Sequence, residues 1–185
     1  MRKFLATAAA ALLLDQLTKA LVRAHMEVHD SIPILGDFLR LRHVRNSGAA
    51  FGMFQGSRYL FIAISIASVI AVVYLLRSGR YRFRGSNIAF GLVMGGALGN
   101  LIDRCLIPEV TDFIDMGIGL HRWPTYNVAD IGLTLGVVYL AVAFLVGGWG
   151  DRPAAAPAGE GPTAPGAVAQ GGPPAPDPGP TRSDP

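Results

Sequence analysis

The 185-residue chain is 51% apolar and only 16% charged, with a mean hydropathy of +0.39, where an ordinary soluble domain carries about 25% charged residues. Its net charge of +3 is too small and too scattered for a nucleic-acid surface, and its single cysteine excludes a disulfide framework or a metal site built on cysteine pairs. Residues 148–185 hold ten of the thirteen prolines and no Ile, Leu or Phe, so they lack the apolar surface that offsets chain entropy and read as a disordered tail. Residues 1–147 carry the hydrophobicity and read as one membrane domain.

A bilayer core about 30 Å thick takes roughly 20 residues of helix to cross. Phe4–Val22 is the first such run, interrupted by Asp15 and Lys19. A cleavable signal peptide is its rival reading, but the small residues Ala8–Ala11 precede the Leu12–Leu14 run and no cleavage site follows. In the next connection, Phe38–Arg45 alternates apolar and basic residues with the period of a strand, and Asn46–Gly52 is small and turn-prone. A short sheet on the membrane surface and an exposed amphipathic loop both fit this pattern. Tyr59–Leu76 is a second, uncharged run. Asn87–Ile107 is a third, rich in glycine, with Asp103 and Arg104 near its end, and Val128–Val146 is the fourth, with Asp130 at its start. None alternates over a useful length, which disfavours a β-barrel. The expected fold is an all-α membrane protein of four transmembrane helices, with a small β-rich periplasmic surface element between helices 1 and 2.

Orientation follows from basic residues in short loops. Arg77, Arg80, Arg82 and Arg84 join the second and third runs, and Arg2 and Lys3 precede the first. These place both termini in the cytoplasm and the connections 23–58 and 108–127 outside, although Arg40, Arg42, Arg45 and Arg58 weaken the contrast.

Each ionisable residue at membrane depth costs about 2.5–3.5 kcal/mol on insertion scales and therefore needs a partner or a function. Asp15 and Lys19 share a helix face and can neutralise each other. Asp103 and Arg104 are adjacent, point in different directions and need separate partners. Internal ion pairing is the plain structural reading of these four. Asp112 and Asp130 differ, because both fall at the outer end of the bundle. Asn127 as N-cap with Asp130 at the third helical position makes a capping box, where the helix dipole favours a carboxylate. The competing reading is catalytic. Two aspartates sharing a site cannot easily both ionise, so the charged one can activate water while the protonated one polarises an amide carbonyl.

Gly91, Gly95 and Gly99 form two successive G-x-x-x-G steps, which allow close helix packing or leave room for an inserted substrate. Asn46, Asn100 and Asn127 can orient carboxylates or bond backbone groups. His25, His29, His43 and His121 read as solvated, Cys105 as packing, and no zinc-protease or serine-elbow motif occurs, so neither a metal nor a cofactor is called. The rival class is a small proton-coupled transporter, whose carboxylates would lie near the midplane, often in repeated halves that are not evident here. A metal-dependent enzyme of lipid metabolism is a third option.

The sequence resembles the lipoprotein signal peptidases (signal peptidase II), bacterial intramembrane aspartic proteases. The resemblance rests on Asp15–Lys19, Asn46–Gly52, Gly95–Arg104, Val110–Phe113 and Tyr126–Asp130, five blocks in order along residues 4–146. It implies Asp112 and Asp130 as the catalytic dyad, and Asp15, Asn46, Asn100, Arg104 and Asn127 as residues that support the site or contact substrate. It gives Lys19 and Asp103 a more structural place. The implied substrate is a diacylglyceryl-modified prolipoprotein, cut just before the lipidated cysteine by a monomer in the bacterial inner membrane, among membrane lipids, with no cofactor. Tyr126 stands where the family usually has Phe. Asp115 adds a third carboxylate that either shifts the dyad or merely faces water.

Overall fold

The third hydrophobic run organises the rest. In the computed structural model, which describes residues 1–48, 53–79 and 83–147, all four runs are helices. They are α1 (Arg2–His25), α2 (Arg58–Ser78), α3 (Ser86–Leu106) and α4 (Val128–Gly147), each long and apolar enough to cross a membrane. About 67% of α3's apolar stretch is buried, against 22%, 11% and 17% for α1, α2 and α4. α3 is therefore the post against which the other three pack, and their outward faces of Leu, Ile and Val remain exposed. The tail 148–185, residues 49–52 of the outer-loop motif and residues 80–82 of the arginine loop lie outside the described residues.

Glycine is what lets α3 serve on two sides. A Cβ on Gly91 would lie 2.8 Å from the Phe4 carbonyl oxygen, and one on Gly95 would lie 2.7 Å from the Ala8 carbonyl oxygen. One on Gly99 would meet the Asp15 carboxylate at 2.5 Å. All three glycines thus face α1, Gly91 and Gly95 against its backbone and Gly99 against the Asp15 carboxylate, and packing, not room for a substrate, accounts for the stripe. Gly96 does the same against α4, where a Cβ would run into the Ala129 carbonyl oxygen. Gly95→Val is expected to overpack the α1–α3 seam by about 1–3 kcal/mol, read as a lower Tm in detergent. An unchanged Tm would mean that the seam has slack.

The expected β element between helices 1 and 2 is present as β1 (Ser31–Leu35) and β2 (Leu39–Asn46). The α3–α4 connection extends it with β3 (Val110–Ile118) and β4 (His121–Arg122), giving an antiparallel sheet in the order β1-β2-β3-β4. β3 escapes a period-two reading because most of both its faces is covered, so alternation has no reason to appear. Phe113 packs with Val22 of α1 and Met26 just after it, while Asp112 and Met116 face a cavity. A register shift between Leu41 and Val44 carries His43 inward, where its Nδ1 lies 2.9 Å from the Met26 carbonyl oxygen. His43 is therefore buried at 3% exposure, contrary to the solvated histidine expected from sequence.

Candidate active site

Two strands and two helices converge on the polar end of one cavity. β2 and β3 pair Val44 with Asp112 and Asn46 with Val110, which sets Asn46 and Asp112 on the same sheet face. The start of α4 presents Asn127 and Asp130, and one side of α3 presents Asn100 and Arg104. The cavity, about 950 Å³, is lined by Asn46, Asn100, Arg104, Asp112 and Asp130 at this end, and elsewhere mainly by apolar side chains of α2, α4 and the sheet, with Ser65, His121, Thr125 and Thr134 among them. Asn127 sits just behind its wall, fully buried.

Amide groups tie the two carboxylates together. Asn46 Nδ2 donates to Asp112 Oδ2 at 2.8 Å, and Asn127 Nδ2 donates to Asp112 Oδ1 at 2.7 Å. Asn100 Nδ2 donates to Asp130 Oδ1 at 2.8 Å, while the Asn127 backbone N–H donates to Asp130 Oδ2 at 3.2 Å. Asn127 Oδ1 accepts from the Asp130 N–H at 3.1 Å, completing the capping box expected from sequence. Capping and the paired-carboxylate reading are therefore not alternatives, because the box is what aims Asp130 into the cavity. Asn127 also donates to Asn100 Oδ1 at 3.2 Å, so every polar group between the carboxylates is committed. Burial, and next the neighbouring Asp130 carboxylate, push the Asp112 carboxyl up to about 7, against the pull of its two amide donors. Asp112 thus keeps a proton into the neutral range.

Asp15 lies behind this site and not in it. Its Oδ1 accepts the Ala129 N–H at 2.9 Å, fastening the first turn of α4 to α1, and its Oδ2 pairs with Lys19 at 2.8 Å. Lys19 also pairs with Asp103 at 3.1 Å, so the expected ion pairing holds for these three residues. Arg104 departs from it. Among the described residues it makes no ion pair; its guanidinium lies 4.8 Å over the Phe61 ring, on the cavity wall. Asp115 neither joins the carboxylate pair nor faces water. It is buried on the other face of β3 and bonded to Arg122 Nε at 2.7 Å.

Sequence reasoning passed over two residues. Gln16 Nε2 bridges Asp15, the Gly99 carbonyl and Asp103. Arg58 donates to the Arg104 and Cys105 carbonyls, closing the end of α3. A polar residue beside Asp15 within an apolar run was the available signal for the first. A basic residue at the start of a span was the signal for the second.

Residues 7–146 match the family model described as signal peptidase (SPase) II. A lipoprotein signal peptidase of Syntrophus aciditrophicus is 40% identical over 144 residues, covering 75% of this chain and 89% of its own. One from Geobacillus kaustophilus is 44% identical over 135 residues, covering 73% and 88%. Two solved structures of a bacterial membrane enzyme superpose with TM-scores of 0.73 and 0.70, at 36% and 35% identity. They cover 78% and 79% of this chain, and 88% and 94% of theirs. A match over nearly the whole helical part, with relatives of similar length, places this chain in the signal peptidase II family of proteases.

Proposed function

We propose that this enzyme hydrolyses the leader from a diacylglyceryl-modified prolipoprotein, cutting before the lipidated cysteine, with Asp112 and Asp130 as the working pair. The observation that carries this reading is two buried carboxylates on one amide network at the polar end of a largely apolar cavity, with burial pushing Asp112 up to about 7. In the step we assign, ionised Asp130 takes a proton from a water molecule as the water oxygen attacks the scissile carbonyl. Protonated Asp112 donates to the carbonyl oxygen as it becomes tetrahedral. Collapse breaks the C–N bond: the proton gathered by Asp130 passes to the departing cysteine nitrogen, and the hydroxyl formed on the carbonyl oxygen returns its proton to Asp112 as the C=O re-forms. The products are a leader carboxylate and a lipoprotein amine.

The substrate assignment follows the names of the relatives and the shape of the cavity. Phe61 and Ile64 of α2 and Ile131 and Leu135 of α4 line it, an apolar surface suited to a leader helix and acyl chains. The exposed Ile32, Ile34, Leu35, Leu120 and Trp123 of the sheet region suit a surface that rests on the bilayer, with the site near its outer face. The transporter reading has no comparable support, since the carboxylates lie at one end of the helices.

Protonation gives the test. Asp112 must be protonated and Asp130 ionised, so kcat/KM is expected to fall as pH rises through about 7 and the proton leaves Asp112. An infrared carboxylic-acid band should titrate over the same range and vanish in Asp112→Asn. A band that persists in that variant assigns the proton elsewhere.

A further inference from the structure

Lys19 is fully buried, and its ammonium reaches three acceptors: Asp15 Oδ2 at 2.8 Å, Asp103 Oδ2 at 3.1 Å and Asn100 Oδ1 at 3.0 Å. Two carboxylates already satisfy its charge. The contact with Asn100 adds direction instead, because a side-chain amide has one acceptor end and one donor end. Asn100 Oδ1 also receives Asn127 Nδ2 at 3.2 Å. Turned over, Asn100 would set its own N–H groups against an ammonium and another amide donor. Its Nδ2 is thereby committed to Asp130 Oδ1 at 2.8 Å.

We propose that Lys19 is a positioning residue for hydrolysis: through Asn100 it fixes the orientation of the Asp130 carboxylate, beyond its part in internal ion pairing. This inference rests on the dyad reading above. Lys19 does not line the cavity and makes no hydrogen bond to Asp130, so although its charge is felt by both carboxylates, its directional hold on Asp130 runs through the amide.

The test is a double-mutant cycle on purified full-length enzyme, measured with lipidated precursor in single-turnover assays, with KM and Tm determined in parallel. Lys19→Met is expected to lower kcat about 100-fold, as a small misplacement of a reacting group does, with KM nearly unchanged. Asn100→Ala should lose a similar factor, and adding Lys19→Met to it should cost little more, since the path is already cut. If Lys19→Met alone does not fold, Lys19→Met with Asp103→Asn removes the stranded carboxylate and takes its place. Wild-type kcat in the Lys19 variant overturns the proposal. So does a full repeat of its loss in the Asn100→Ala background, an Asn100→Ala rate at wild type or below detection, or failure of both Lys19 variants to fold. Asp112→Asn and Asp130→Asn run alongside. If they cleave normally, the dyad reading falls; if they are dead while Lys19→Met is normal, only the positioning role falls.

Discussion

Asp112→Asn and Asp130→Asn are each expected to slow precursor cleavage by about 10³-fold or more while leaving a folded membrane protein. A positioned acid or base contributes about 10²–10⁴-fold, and in the proposed step the same pair would activate water and polarise the carbonyl, so either loss would stop both halves of it. The substitutions are close in size, which keeps the cavity's shape. Each has a modest structural cost that can be read from the hydrogen bonds. Asp112 accepts from Asn46 and Asn127 on different oxygens, and an amide there can accept on only one side. Asp130 accepts from Asn100 and the Asn127 N–H in the same divided way. One lost hydrogen bond of this kind costs about 0.5–3 kcal/mol, so Tm should fall slightly in both variants. Cleavage at more than a few per cent of the wild-type rate by either variant, per folded molecule, would remove that carboxylate from the chemistry.

The largest effect on stability is expected at Asp15. Its side chain is fully buried, pairs with Lys19 and accepts the Ala129 N–H at the start of α4. Asp15→Ala leaves the Lys19 ammonium one carboxylate short and the Ala129 N–H without an acceptor. Breaking a buried pair from one side costs about 3–5 kcal/mol, and a lost cap adds about 1 kcal/mol. That is a large share of a typical folding free energy of about 5–15 kcal/mol. A sharp loss of folded protein in membranes, or a Tm lowered well beyond that of the Asp112 and Asp130 variants, is the expected result. Asp15→Asn should be milder, since it keeps the volume and one acceptor for the Ala129 N–H. A Tm within a degree or two of wild type for Asp15→Ala would show that the ion cluster does not hold α1 against α4.

Much of this was legible in the chain for physical reasons. Charge is so costly in a bilayer that four uncharged or nearly uncharged runs could be read as spans. The few charges inside them had to be paired or functional, which pointed to Asp15 and Lys19 on one helix face. The Asn127–Asp130 capping box was readable from local spacing alone. Contacts between distant segments were not readable that way. The Asp15 carboxylate meets an N–H more than a hundred residues away, and Asn100 meets both Lys19 and Asp130 from a third helix. Spacing along the chain does not encode such meetings, and only the resemblance brought these residues into one set. β3 was missed because coverage on both faces removes the alternation that marks a strand. The burial of His43 depends on a register shift, and that of Asp115 on Arg122 from the following strand. Neither leaves a periodic trace.

The reaction proposed for the paired carboxylates is metal-independent hydrolysis by water at a lipidated cysteine. It is tested most directly by incubating the purified protein with a diacylglyceryl-modified prolipoprotein in detergent, with a chelator, in water enriched in ¹⁸O, and weighing both products. The expected result is one cut, with the lipidated cysteine as the new N-terminus, a single heavy oxygen in the leader's new carboxylate and no effect of the chelator. Intact precursor, a cut elsewhere, or cleavage that the chelator abolishes would contradict it.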